Sequence, residues 1–159
     1  KKLGKGSYST VHEAVELDGD GTRWAAKLIS LRGSDATRRL EHRETVLREA
    51  SMMLNMTHEG LLNLKEFFVE ENTVVLILEM MKGSTLLDYV LDKGGYSEHD
   101  ACVVFRRVLE ALKYLHVKKV VHRDIKLENL MLARHNDPTS VKIADFGFAC
   151  RLDASGNFQ

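Results

Sequence analysis

Three polar side chains late in the sequence have types and spacing that suit chemistry on a phosphoryl group. His122-Arg123-Asp124 is followed by Asn129, and Asp145-Phe146-Gly147 comes a short strand later. Carboxylate and amide oxygens are hard ligands that suit Mg²⁺, and a carboxylate can also accept or orient the proton of a hydroxyl group. Phosphoryl transfer needs both functions, because an acceptor hydroxyl must be positioned while a metal ion neutralises the phosphates. The pattern therefore predicts that the chain handles a nucleoside triphosphate.

A glycine-rich segment at the start of the sequence supports the same chemistry. Gly4-Lys5-Gly6-Ser7-Tyr8-Ser9-Thr10-Val11 is a near match to G-x-G-x-x-G-x-V, and Trp24-Ala25-Ala26-Lys27 follows where a V-A-I-K strand would lie. A dinucleotide site would need a strand, a glycine turn and then a helix. Here residues 9–17 predict a strand that enters a turn at residues 18–21. The glycine loop is therefore expected to join two antiparallel strands.

These four ordered motifs resemble those of the eukaryotic-type protein kinases, over residues 1–159. The segments Lys93-Gly94-Gly95-Tyr96-Ser97-Glu98 and Asp145-Phe146-Gly147-Phe148-Ala149 are most similar to the calcium/calmodulin-dependent group of serine/threonine kinases. The resemblance implies an α+β, protein-kinase-like bilobal fold. Residues 1–81 would form the N-lobe, with an antiparallel sheet, one helix and the start of the hinge. Residues 82–159 would form a truncated, mainly helical C-lobe with the catalytic loop and the D-F-G segment.

The composition excludes several other classes of protein. The 23 lysines and arginines balance the 23 aspartates and glutamates, so nothing predicts a nucleic-acid partner or a membrane-surface patch. Cys102 and Cys150 are too few and too unpatterned for a disulfide framework or a zinc site. No apolar run approaches the ~18 residues of a membrane span. These features together predict a soluble protein of the cytoplasm or the nucleus.

Hydrophobic periodicity predicts the elements between the motifs. We expect a helix over residues 34–56, strands over 61–69 and 72–79, and a hairpin from 130–132 and 141–144. The run Val74 to Leu78 is continuously apolar, which predicts a strand buried on both faces. Ser97 and Asp100 predict the capped start of a further helix. The expected apolar stripe of that helix contains Ala101, Val104, Phe105, Val108, Leu109, Leu112 and Leu115.

The resemblance implies an ATP site that draws residues from both lobes. Backbone N–H groups from Gly4 to Ser9 would cover the phosphates, because glycine lets the main chain approach an anion closely. Ser9 stands in the place of the third glycine. The implied nucleotide-binding set is Gly4, Lys5, Gly6, Ser7, Tyr8, Ser9, Val11, Ala25, Lys27, Leu78, Glu79, Met81, Glu128 and Met131.

Within this set the resemblance implies distinct contacts with the adenine ring. Val11 and Ala25 would pack on one face of the ring and Met131 on the other. The backbones of Glu79 and Met81 would contact the edge of the ring. Taken singly, each of these apolar residues is better explained as ordinary core.

The resemblance also implies a pair of charges that positions the phosphates. Lys27 would reach the α- and β-phosphates and would be held by a carboxylate of the 34–56 helix. Glu44 and Glu49 are the two candidates, and counting back from His58 favours Glu49. The other glutamate would be a solvated surface charge.

Four residues would serve the transfer itself. By the resemblance, Asp124 would accept or orient the proton of the substrate hydroxyl, and Lys126 would neutralise the γ-phosphate during transfer. Asn129 and Asp145 would hold Mg²⁺.

A few positions depart from the family pattern or are expected to be structural. Thr85 stands where relatives often carry a glutamate, which puts a preference for basic substrate residues in doubt, and Leu127 replaces a common proline. His122 is expected to pack on Phe146 rather than to act in the reaction.

The expected function is transfer of the γ-phosphate of ATP, with Mg²⁺, to a serine or threonine of a protein substrate. One alternative is a nucleotide-binding pseudokinase or scaffold, and another is a kinase of small molecules. Calmodulin or another regulator would act through segments outside this sequence. The chain resembles a fragment of a kinase domain, so by itself we expect it to be weakly active or inactive.

Overall fold

The computed structural model describes residues 1–6, 8–32, 35–153 and 155, in two compact units. The first unit contains residues 1–57 and 63–80, and the second contains 58–62 and 81–159. The sequence-based division at residue 81 placed 58–62 with the first unit. In the structure this segment runs beside Ile143, which accepts a hydrogen bond from the N–H of Leu62 at 2.9 Å and donates one to Gly60 at 2.8 Å. These backbone bonds attach the segment to the second unit.

A five-stranded antiparallel sheet forms most of the first unit. Its strands are β1 (Lys2–Lys5), β2 (Ser9–Val15), β3 (Arg23–Ser30), β4 (Leu64–Val69) and β5 (Thr73–Glu79), in the spatial order β1-β2-β3-β5-β4. The turn between β2 and β3 contains Gly21 at a φ of 76°, in the left-handed region that glycine adopts without strain. The predicted pair of antiparallel strands around the glycine loop is confirmed.

One helix, α1 (Ala36–Leu54), packs on β4 and β5. Asp35 caps its start, because the Asp35 side chain accepts a hydrogen bond from the N–H of Arg38. The predicted start at residue 34 lies outside the described residues. The residues of α1 that are buried are Val46, Ala50, Met52 and Met53.

Strand β5 corrects one sequence-based prediction. Val74, Leu76 and Leu78 are buried, but Val75 and Ile77 on the opposite face are only half-buried. The continuous apolar run suggested burial on both faces, whereas the only described helix of this unit can cover one face of the sheet. Buried and half-buried residues therefore alternate along β5 because one face of the sheet is covered and the other is not.

The second unit begins with two capped helices. In α2 (Leu86–Lys93) the Thr85 side chain accepts a hydrogen bond from the N–H of Asp88, and the helix ends at Gly94 with a left-handed φ of 70°. In α3 (Glu98–Val117) the Ser97 side chain accepts from the N–H of Asp100, as the sequence predicted. None of the helices in the described part of the chain is long and apolar enough to cross a membrane.

The buried face of α3 is narrower than the predicted stripe. Val104, Val108, Ala111 and Leu115 are buried. Phe105 and Leu109 are 65% and 49% exposed, and Ala101 is also exposed, so only part of the predicted apolar stripe is buried in this chain. Each of the two larger side chains directly follows a buried valine, which turns it about 100° away from the buried face.

Short strands complete the second unit. β6 (Val120–Val121) pairs with β9 (Cys150–Arg151), and β7 (Leu130–Leu132) pairs with β8 (Val141–Ile143) in the predicted hairpin. Two 3-10 helices, Leu127–Asn129 and Pro138–Ser140, precede β7 and β8. The H-R-D segment directly follows β6, and the D-F-G segment lies between β8 and β9, so the pairing of β6 with β9 brings the two segments close together.

Candidate functional site

The glycine loop is closed by its own backbone. The N–H of Gly6 donates to the carbonyl oxygen of Ser9 at 2.8 Å, across the link between β1 and β2. A Cβ added at Gly6 would lie 3.1 Å from the Ser9 Oγ, so the loop has little room for a larger residue there. Ser7, which the resemblance places among the phosphate contacts, lies outside the described residues.

Tyr8 attaches this loop to β3 through contacts that the sequence motifs do not reveal. The guanidinium of Arg32 lies 4.3 Å from the centre of the Tyr8 ring, and the N–H of Ser30 donates to the Tyr8 carbonyl oxygen at 3.2 Å. Cation–π contacts at exposed sites contribute about 0.5–1 kcal/mol. Arg32 has no place in the motifs, and only its charge near an aromatic residue could have indicated it.

The register of the sheet places four predicted nucleotide contacts on one face. Lys27 on β3 is paired with Val11 on β2 and with Leu76 on β5. Ala25, two residues earlier on β3, is paired with Leu78. Because alternate residues of a strand share a face, Val11, Ala25, Lys27 and Leu78 point to the same side of the sheet. This arrangement provides an apolar surface with one ammonium group.

The two glutamate candidates on α1 differ in burial. Glu49 is half-buried and directly precedes the fully buried Ala50, whereas Glu44 is exposed. Lys27 shares its sheet face with Leu76, one of the most buried residues of this unit. The burial is therefore consistent with Glu49 as the partner of Lys27, and the pairing itself stays a prediction.

Glu79 is held at the end of β5 by Asn63. Its N–H donates to the Asn63 carbonyl oxygen at 3.0 Å, and its carboxylate accepts from the Asn63 N–H and side-chain amide, both at 3.3 Å. The backbone N–H of Glu79 is thus already used within the first unit.

Asp124 lies at the centre of the polar groups in the second unit. Its Oδ2 accepts hydrogen bonds from Lys126 Nζ and from Asn129 Nδ2, both at 2.8 Å. The Asn129 amide also donates to the Asp124 carbonyl oxygen at 2.8 Å. The Lys126 hydrogen bond is the main reason that the pKa of Asp124 lies below its usual value, and the same contact raises the pKa of Lys126. Asp124 is therefore an ionised carboxylate in a fixed orientation.

Asn129 is connected to the D-F-G segment through the backbone. The N–H of Ala144, the residue before Asp145, donates to the Asn129 carbonyl oxygen at 2.8 Å. Because the Asn129 amide nitrogen is directed at Asp124, its Oδ1 remains an oxygen donor for a cation.

Asp145 has a left-handed φ of 60°, an uncommon conformation for a residue other than glycine. The described residues contain no cluster of three or more histidine, cysteine, aspartate or glutamate side chains that would hold a metal ion.

His122 is buried beneath these groups. Its Nε2 lies 3.1 Å from the carbonyl oxygen of Ala144, and its Nδ1 accepts from the N–H of Asp124 at 3.3 Å. The His122 and Phe146 rings are 5.0 Å apart at an angle of 68°. Burial of the ring lowers the pKa of His122. The predicted packing of His122 on Phe146 is confirmed as an edge-to-face contact.

Arg123 joins the H-R-D loop to the segment after Phe146. Its Nε donates to the carbonyl oxygen of Phe148 at 2.6 Å, and its backbone has a left-handed φ of 67°. The pairing of Val121 with Cys150 extends the same connection. No sequence motif indicates either contact, because they depend on loop conformation and strand pairing.

The remaining predicted contacts of the second unit surround β7. Met131 is half-buried and forms an antiparallel bridge with Thr85, and Glu128 is exposed on the 3-10 helix that precedes β7. Met81 begins this part of the chain, and the next residue, Lys82, donates its N–H to the Ala133 carbonyl oxygen at 3.1 Å.

The structure thus gathers the predicted residues into two sets. The set in the first unit consists of Gly4, Lys5, Gly6, Tyr8, Ser9, Val11, Ala25, Lys27, Glu49, Leu78 and Glu79. The set in the second unit consists of Met81, Asp124, Lys126, Glu128, Asn129, Met131 and Asp145. Each set is internally ordered by the hydrogen bonds and strand pairings given above.

Comparison with known proteins gives consistent matches over the whole chain. The family described as protein kinase domain matches residues 1–159. Death-associated protein kinase 2 of Homo sapiens is 35% identical over 160 aligned residues, which cover 100% of this chain and 43% of that protein. Calcium/calmodulin-dependent protein kinase type IV of Homo sapiens is 34% identical over 148 residues, which cover 93% of this chain and 29% of that protein. The chain therefore spans less than half the length of these relatives.

A solved structure is similar in fold as well as in sequence. The crystal structure of Rad53 in complex with AMP-PNP matches with a TM-score of 0.82 and 30% identity, over 92% of this chain and 37% of that one.

Proposed function

We propose that this chain, which belongs to the protein kinase domain family, is the nucleotide-binding and catalytic-loop part of an enzyme that transfers the γ-phosphate of ATP to a serine or threonine hydroxyl of a protein substrate. The predicted resemblance to calcium/calmodulin-dependent kinases is confirmed by the relatives that match, and the predicted α+β kinase fold is confirmed by the Rad53 structure.

The observation that carries the proposal is the fixed carboxylate of Asp124. Lys126 and Asn129 both donate to the same oxygen of Asp124 at 2.8 Å, which leaves the other oxygen to accept the hydrogen of a substrate hydroxyl. Because the pKa of Asp124 is lowered, this carboxylate is a weak base in the ground state. Its proposed role is to orient the hydroxyl, and to accept the proton as the oxygen–phosphorus bond forms.

Lys126 has a second proposed role beside Asp124. Its raised pKa keeps the ammonium group charged, so that it can offset the charge on a phosphoryl group as that group is transferred. This role depends on its position two residues from Asp124.

The oxygen donors of the second unit fit a magnesium ion. Asp145 would supply a carboxylate and Asn129 its amide Oδ1, and both are hard ligands of the kind that Mg²⁺ prefers. When bound there, Mg²⁺ would neutralise negative charge on the nucleotide phosphates. The chain's own contribution is to hold the Asn129 amide by its hydrogen bonds to Asp124.

The residues of the first unit would bind the nucleotide. Lys27 would bind the phosphates with Glu49 as its partner, and Val11, Ala25 and Leu78 would provide the apolar surface for the adenine ring. Rad53, which is similar to this chain, was solved in complex with AMP-PNP, which supports nucleotide binding by this chain.

A regulator and the cellular location of the protein are also proposals. One of the relatives, calcium/calmodulin-dependent protein kinase type IV, is named for calcium and calmodulin, which supports a regulator of that kind acting through other parts of the protein. The cytoplasmic or nuclear location stays a prediction from composition. A scaffold without activity is disfavoured because Lys27, Asp124, Asn129 and Asp145 are all present.

A phosphoryl-transfer assay tests the proposal. A kinase domain that contains this chain should transfer ³²P from γ-labelled ATP to a serine-containing peptide, and Asp124→Asn should abolish the transfer. Asp92→Asn is the matched control, because Asp92 is an exposed aspartate of α2 outside both residue sets. Wild-type protein without transfer, or an Asp124→Asn variant as active as Asp92→Asn, would refute the proposed function.

A further inference from the structure

A cleft of about 190 Å³ lies in the second unit, beside residues 58–62, α3 and the β7–β8 loop. Three cationic side chains line it: Arg107 from α3, Arg134 from the loop and Lys142 from β8. Glu59 is the only carboxylate among the described residues that line it. The lining therefore carries an excess of positive charge, although the formal net charge of the whole chain is zero.

The walls of this cleft are fixed by backbone contacts. Residues 58–62 run beside β8, where Ile143 bonds to both Gly60 and Leu62. A Cβ at Gly60 would lie 2.9 Å from the Cβ of Ala111, so the close approach of this segment to α3 requires glycine. The approach places Glu59 beside Arg107, and their charged groups are 2.6 Å apart.

Arg134 and Lys142 are held by groups next to the cleft. Arg134 donates through Nε and Nη2 to the same oxygen of Asp137, at 2.7 and 2.6 Å. Asp137 also accepts from the N–H of Thr139 at 2.9 Å, so the arginine is attached to an ordered loop. Lys142 Nζ donates to the carbonyl oxygen of Leu61 at 3.3 Å.

The ion pair between Glu59 and Arg107 is weak. Its side chain is 70% exposed, and exposed ion pairs contribute only about 0–1 kcal/mol. Arg107 carries five N–H donors and can bind a carboxylate or a phosphate through two of them. An incoming anion can therefore compete with Glu59 for Arg107.

We infer that this cleft docks an acidic segment of a protein partner, with one carboxylate or phosphoryl side chain entering between Arg107 and Lys142. Pockets for small molecules usually measure about 300–1,000 Å³, so this smaller cleft suits one or two peptide side chains. None of its lining residues belongs to the nucleotide-binding or catalytic sets. The docking site is thus additional to the proposed phosphoryl transfer and independent of it.

Fluorescence anisotropy with labelled peptides tests the inference directly. The probes are a peptide with four glutamates, the same peptide with a central phosphoserine, and a version with lysines in place of the glutamates. The chain should bind both acidic peptides and not the lysine peptide, with affinity that falls as salt is raised. Arg107→Gln combined with Lys142→Gln should weaken binding at least tenfold. The control, Lys113→Gln combined with Lys118→Gln, removes two exposed charges of α3 and its C-cap outside the cleft and should change nothing.

A variant that should strengthen peptide binding distinguishes a loss of docking from misfolding. Glu59→Gln removes the same ion pair as the Arg107 change, yet it should strengthen peptide binding about threefold because the internal competitor is gone. Weaker binding by Glu59→Gln, or equal losses in the cleft and control variants, would overturn the inference. Inorganic phosphate that bound as tightly as the phosphoserine peptide would show a site for free anions and would also overturn it.

Discussion

The backbone N–H of Asp124 donates to Nδ1 of His122 at 3.3 Å, while Nε2 of the same ring lies 3.1 Å from the carbonyl oxygen of Ala144. Nδ1 must therefore accept and Nε2 must carry the hydrogen, which is the neutral form of the ring. A proton added to Nδ1 would remove the bond to Asp124. One neutral histidine thus fixes the backbone of the candidate base relative to the strand that leads into Asp145.

The neutral state of His122 predicts how stability depends on pH. Its pKa in the folded chain is lowered by burial, so between that value and the unfolded value of about 6.5 the unfolded chain binds more protons. Stability from the neutral ring is therefore complete above about pH 6.5 and is lost as the pH falls below it. Thermal melts from pH 7.5 to 5.5 should show a falling Tm that is flatter in His122→Gln. His99→Gln, at an exposed histidine, should keep the wild-type slope, and an unchanged slope in His122→Gln would refute the argument.

Lys126 should control both the rate of phosphoryl transfer and the pH below which that rate falls. In Lys126→Met the main cause of the lowered pKa of Asp124 is removed, so that pKa should rise toward 3.8 and the acid limb of the pH–rate profile should move to higher pH. Turnover should fall by about 10²–10³, as expected for the loss of one electrostatic donor. Lys118→Met is the control, because Lys118 lies at the exposed end of α3. Wild-type turnover in Lys126→Met would remove this residue from the catalytic set.

The choice between the two glutamates of α1 can be tested in a kinase domain that contains this chain. Glu49→Gln should lower turnover more than Glu44→Gln, because the half-buried Glu49 is the proposed partner of Lys27. Steady-state assays of the two variants give the comparison. If Glu44→Gln is the more damaging change, the assignment of the helix register is mistaken.

Gly83 should be intolerant of a side chain. An added Cβ would lie 2.6 Å from both the Cβ and the carbonyl oxygen of Leu132 and 2.7 Å from the carbonyl oxygen of Arg134, and backbone atoms cannot move aside cheaply. Gly83→Ala should therefore lower the free energy of unfolding by about 1–3 kcal/mol, seen as a lower urea midpoint. Gly4→Ala is the control, because nothing lies within 4 Å of its added Cβ. Equal midpoints for the two variants would contradict the packing argument.

Local signals in the sequence were enough for much of the fold. The Ser97 cap, the glycine loop between antiparallel strands and the β7–β8 hairpin all follow from residues close together in the chain, and all three are observed. The sequence does not show which faces of β5 and α3 other elements cover. Whether both faces of β5 are buried, and which part of the α3 stripe is buried, depends on the packing layers, which periodicity alone does not provide.

The candidate site shows the same limit. The motifs give the residue types at Asp124, Asn129 and Asp145, but not that Lys126 and Asn129 share one oxygen of Asp124. The Tyr8–Arg32 contact and the hydrogen bond from Arg123 to Phe148 also join residues that no motif links. Such contacts depend on strand register and loop conformation, which are fixed only when the chain folds.

The most direct test of the central claim compares wild type with Asp145→Asn in a kinase domain that contains this chain, with phosphoryl transfer and nucleotide binding measured on the same samples. Loss of the carboxylate should remove nearly all transfer from ATP at saturating Mg²⁺. Binding of adenosine, which carries no phosphates, should persist because the apolar surface of Val11, Ala25 and Leu78 is unchanged. Transfer within tenfold of wild type, a difference in barrier of only ~1.4 kcal/mol, would contradict the assignment of Asp145 as a metal ligand of a phosphoryl-transfer site.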